Sequence, residues 1–144
     1  MQTSWAHLPG VVKMKRAKTK RESVCVIDVE TRSSVDIKAG PMAYFAAKDA
    51  ALICVGFAID NGPVKTAWLL DGAPLPAAVL NHKGLFVAHN WFFEYCAFLR
   101  FYPKSRLAVP SNWLCTQALA RRLQVGSNRA SLHEVCEALD IPSP

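Results

Sequence analysis

Residues 23–32 read Ser-Val-Cys-Val-Ile-Asp-Val-Glu-Thr-Arg, and the fold class turns on this stretch. Val24, Val26, Ile27 and Val29 are β-branched, and the run is apolar at odd and even positions alike, the pattern of a central strand covered on both faces. Asp28 and Glu30 close it. Side chains along a strand alternate with period two, so these two carboxylates share one face at the edge of the sheet. Two negative charges a few ångströms apart raise a pKa or recruit a cation, and an all-oxygen set suits magnesium or manganese. A strand that merely ends in solvated acids shows the same pattern.

Working outward, Thr31–Pro41 is polar and ends in Gly-Pro, which predicts a loop. Leu52–Asp60 and Val64–Leu70 read as strands, and Asn61-Gly62 between them predicts a type I′ hairpin turn. A short helix is expected from Leu75 to about Asn81, and Gly84–His89 forms a further strand. Asn90 then opens an aromatic helix as its N-cap. On that reading Glu94, at i+4, shares a helix face with Asn90. Pro103 and Pro110 bracket a loop. Leu114–Gln124 is a helix that stops near Gly126, and Ser131 with Glu134 has capping-box spacing for a last helix. The expected architecture is α/β, a mixed sheet with flanking helices.

Composition narrows the function classes. The chain of 144 residues is 51% hydrophobic and 19% charged, enough for one packed core. Its apolar runs are too short for a membrane span, and the first residues lack the order of a secretory signal, so a cytoplasmic location and no membrane partner are expected. The net charge of +6 resides in the leader: Lys13, Lys15, Arg16, Lys18, Lys20 and Arg21 fall within nine positions, and acids and bases nearly balance thereafter. We therefore read residues 1–22 as a basic leader able to bind nucleic acid, and 23–144 as the folded unit. The odd cysteine count without a CxxC pair points to buried free thiols, and the histidines lack zinc-ligand spacing. A hydrolase pairing a cysteine with His89 or His133 lacks an activating context.

The series Asp28-Val-Glu-Thr31, Phe57-Ala-Ile-Asp-Asn-Gly-Pro-Val-Lys65, Gly84-Leu-Phe-Val-Ala-His-Asn-Trp-Phe-Phe-Glu94, Trp113–Leu123 and Ser131–Pro142 resembles the 3′–5′ exonuclease domain of family A DNA polymerases. That domain is a DEDD-type, ribonuclease H-like exonuclease, and the resemblance is to its phage-type members over roughly residues 23 to 142. It implies a two-ion site for Mg2+ or Mn2+ and single-stranded DNA or nucleic-acid 3′ ends as partner. Asp28 would bridge the ions, Glu30 would complete the ion that bears the nucleophile, and Glu94 would hold the second ion through water. Asn90 and Thr31 would shape the pocket for the last nucleotide. The family usually has Asp where Glu94 stands. Its third motif, a Tyr or His before a last Asp, would fall beyond Pro144, so the resemblance implies a C-terminally incomplete fold, weak or inactive alone and open to complementation by a polymerase portion. A catalytically dead binding protein on the same fold, such as a phage-encoded inhibitor of a host nucleic-acid enzyme, is the alternative.

Overall fold

The structure, a computed structural model, describes residues 22–142. The basic residues from Lys13 to Arg21 lie outside the described residues. Five strands form one sheet: β1 (Val24–Arg32), β2 (Ala51–Ile59), β3 (Lys65–Trp68), β4 (Leu85–Ala88) and β5 (Trp113–Cys115), in the order β3-β2-β1-β4-β5. β1 is central, antiparallel to β2 and parallel to β4; β2 and β3 are antiparallel, and β4 and β5 parallel. The helices are α1 (Pro41–Ala46), α2 (Ala77–Leu80), α3 (Phe92–Phe101), α4 (Thr116–Leu123) and α5 (Leu132–Ala138). This mixed α/β arrangement is consistent with a ribonuclease H-like fold.

The core lies on one side of the sheet. Cys25, Ile27 and Val29 of β1, Val55 and Phe57 of β2, and Phe86 and Ala88 of β4 are buried against Phe45 of α1 and Ala97 and Phe98 of α3. Burying each large apolar side chain contributes roughly 1.5–3 kcal/mol. Trp113 of β5 holds Phe86, Trp91 and Phe98 at centroid separations of 5.4, 6.2 and 6.1 Å, and its indole N–H donates to the Leu107 carbonyl at 2.8 Å. The aromatic helix is thus mainly core: Phe98 is fully buried, whereas Phe92 is exposed.

Several expectations are corrected. β1 is not covered on both faces among the described residues: Val26, Asp28 and Glu30 are exposed, Val26 by 47%. Its apolar even positions, Val24 and Val26, reflect β-propensity rather than full burial. The hairpin between β2 and β3 is present, but its positive φ falls on Asp60 and not on Asn61 or Gly62, so the turn is not type I′. Asp60 is fixed by tertiary bonds. Its amide donates to the Val24 carbonyl at 2.8 Å, and its carboxylate accepts from the Val24 amide at 3.0 Å and the Ser23 hydroxyl at 3.1 Å. Two short elements lay hidden in stretches read otherwise: α1 starts at Pro41, a residue pre-set for a first helical turn, and β5 occupies the start of the helix expected over Leu114–Gln124.

Gly84 sets the entry to β4. A Cβ there would lie 1.7 Å from the Ser23 carbonyl oxygen, the same oxygen that accepts the Leu85 amide at 3.0 Å. Gly84→Ala is therefore expected to lower unfolding stability by about 2–3 kcal/mol or to abolish folding, checked by urea denaturation. The capping box is realised: Ser131 Oγ accepts the Glu134 amide while the Glu134 carboxylate accepts the Ser131 amide at 2.9 Å. Ser131→Ala is expected to cost about 1 kcal/mol in the same measurement.

Candidate functional site

The parallel register determines where Asp28 stands. Val26 pairs with Val87, so Asp28, two residues on, is level with His89, where β4 has already ended at Ala88. Asp28 therefore faces a gap beyond the carboxyl end of β4, at the centre of the sheet, where open α/β sheets place their ligands. The β4–α3 turn follows directly. From it α3 runs back over the core and delivers Glu94 in its first turn.

Glu94 is 4% exposed, and its Oε2 has no hydrogen-bond partner. Burial, assisted by the negative field of Asp28 and opposed by a bond from its own backbone amide, pushes its pKa up to about 7. A buried acid with an orphaned oxygen beside a second carboxylate lacks a positive partner. That fits a cation shared between Asp28 and Glu94. The fit is partial: among the described residues, no three His, Cys, Asp or Glu side chains group closely enough to hold an ion. Glu30 lies on the exposed face with Asp28, opposite Cys54 of β2, just before a bulge at Glu30/Thr31.

The two polar residues assigned to the nucleotide pocket sit differently from expectation. Asn90 is not an N-cap. It lies outside α3 with a left-handed φ of 63°, a conformation Asn tolerates better than most residues, and the helix follows Trp91 without a side-chain cap. Helical i, i+4 spacing therefore does not relate Asn90 to Glu94. Thr31 bonds through its hydroxyl to Tyr44 Oη of α1 at 3.1 Å.

His89 is the residue sequence reasoning undervalued. Its Nε2 donates to the Ala130 carbonyl at 2.9 Å and its Nδ1 bonds with Thr116 Oγ1 at 3.0 Å, tying the end of β4 to α4 and to the segment before α5. The signal was its position directly before Asn90. The thiols carry no comparable chemistry: all five cysteines are free, and burial, with a contribution from Asp60, pushes Cys25 up to about 11. Glu134 is occupied as well. Hydrogen bonds from the Ser127 hydroxyl and from Ser131 lower its pKa to about 2, which holds it as the capping carboxylate of α5.

Fold and site together define an α/β protein in which one buried acid, Glu94, lies in the field of Asp28 near the carboxyl end of β4. Over 120 residues, 80% of this chain, the sequence is 35% identical to the DNA polymerase of Bacillus phage SP02. That similarity is to part of a polymerase: the chain spans 18% of that polymerase's length. No protein-family model and no solved structure matches. No helix among the described residues is long and apolar enough to cross a membrane.

The raised pKa of Glu94 has a definite linkage sign. The folded state binds its proton more tightly than the unfolded state, so the stability contributed by Glu94 is fully present below pH 4.5 and is lost as pH rises through about 7. At 1.36 kcal/mol per unit the loss amounts to about 3 kcal/mol. Glu94→Gln is expected to remove most of this slope. Unfolding free energies of both proteins between pH 4.5 and 8 check it, and parallel curves would contradict it.

Proposed function

We propose that this chain is a 3′–5′ exonuclease-like segment of a phage-type DNA polymerase, which engages single-stranded 3′ ends through Asp28, Glu30 and Glu94. The single observation that carries this reading is the unpartnered, buried Glu94 carboxylate in the field of Asp28. The similarity to a phage DNA polymerase supports it. Mg2+ or Mn2+ held by these carboxylates would supply Lewis-acid activation of a phosphodiester. The protein's own part is to keep Glu94 dry, to hold Asp28 beyond the end of β4, and to fix the turn between them through His89. Glu30, on the solvent side, is placed to meet the end of a strand. The basic residues Lys13, Lys15, Arg16, Lys18, Lys20 and Arg21 would add sequence-independent attraction for phosphates.

The absence of a closed three-acid group among the described residues favours a second reading, an exonuclease-fold binding protein without catalysis. Asp28→Asn separates the two. On the exonuclease reading, millimolar Mn2+ at pH 8 raises the melting temperature of the full chain by several degrees and permits slow shortening of 3′ single strands, and both effects vanish in Asp28→Asn and Glu94→Gln. Melting temperatures that do not respond to Mn2+ in any of the three proteins, with strand binding equal among them, would establish the binding protein instead.

A further inference from the structure

At the opposite end of the sheet from the acids, the turn into β4 and the segment after α3 flank an open basin of about 490 Å³. This lies within the size range of small-ligand sites. Lys83, Lys104 and Arg106 line it together with Leu80, Tyr102 and Pro103, and no lining residue is acidic. Among the described residues none of the three cations is ion-paired. Like charges gathered in one concavity repel one another, and an anion relieves that repulsion while gaining from a field the low-dielectric walls concentrate.

The walls are built rather than fortuitous. Tyr102 takes part in four hydrogen bonds: its amide donates to the Phe98 carbonyl at 2.8 Å, its carbonyl accepts the Ser105 amide at 2.9 Å and the Ser105 hydroxyl at 2.8 Å, and its phenolic oxygen meets the Leu75 backbone. Arg106 Nη2 donates to the Lys83 carbonyl at 2.9 Å, which fixes the two rims relative to each other, and Asn112 Nδ2 donates to the Arg106 carbonyl at 2.9 Å. The guanidinium keeps a buried Nε donor without a partner. A rigid aromatic wall beside unpaired cations suits a ligand with one flat apolar part and one phosphate.

We propose that this basin binds a nucleotide, its phosphate between Lys83 and Lys104 and its base or sugar against Tyr102 and Pro103. The site is distinct from the acids of β1. Lys83 precedes β4, whose first residue pairs with Val24, and Asp28 lies four residues farther along β1, about 13 Å at the usual rise per strand residue. The nucleotide could be free or part of a strand; the recognition chemistry is the same.

Amide NMR titrations of the full chain at low salt test this with deoxyadenosine 5′-monophosphate, deoxyadenosine and a five-residue oligodeoxyadenylate. The monophosphate is expected to give saturable shifts at Lys83, Lys104, Ser105 and Arg106, with deoxyadenosine at least tenfold weaker. The double variant Lys83→Glu/Lys104→Glu should lose at least tenfold in affinity; should charge reversal unfold the chain, Lys83→Gln/Lys104→Gln should lose about fivefold. Oligonucleotide binding that is tighter than the monophosphate and falls with the double variant identifies a strand as the ligand, and equal affinities identify the free nucleotide. Because the basic run of residues 13–21 attracts any oligonucleotide, the double variant isolates the basin. Shifts that fail to saturate, deoxyadenosine binding as tightly as its monophosphate, or affinities that the double variant leaves unchanged would overturn the proposal.

Discussion

The alternation of side chains along β1 is the constraint on which the rest of this structure depends. One strand sends Cys25, Ile27 and Val29 into the core and presents Val26, Asp28 and Glu30 on the other face. The same backbone hydrogen bonds that place β1 at the centre of the sheet therefore hold the acids in position. A slip of one residue in its pairing would bury two carboxylates and expose three apolar side chains. Asp60, bonded to both Ser23 and Val24, pins the register at the start of the strand.

The shortness of β4 is the second structural decision. A four-residue strand ends before it passes Asp28, and the chain turns there through a left-handed Asn90. After that turn, a helix packed on the core side carries buried Glu94 into the field of Asp28. His89 ties the end of β4 to α4 and to the segment before α5. Burial gives Glu94 its raised pKa, and an acid in that state either keeps its proton or acquires a positive partner.

The charge of the protein is divided into separate regions. The acids gather at the carboxyl end of β4, while Lys83, Lys104 and Arg106 gather near its amino end, without ion pairs among the described residues. Opposite fields at two ends of one small sheet are well separated relative to the roughly 8 Å screening length of physiological salt. Each can therefore act on its own ligand.

Sequence alone was enough to locate the central strand, the acidic pair, the helix that carries Glu94 and the capping box at Ser131, because each rests on short-range periodicity or local hydrogen bonding. It also made the similarity to a polymerase legible in the ordered series of motifs. It misplaced the hairpin turn and the N-cap, and it passed over α1 and β5; Asp60 and Trp113 take their partners from residues distant in the chain. Only the tertiary structure decided that Glu94 is buried with an unpaired oxygen, that Glu30 faces solvent and that three cations share a basin. Burial and electrostatic fields are sums over neighbours in space, and the order of residues along a chain does not list those neighbours.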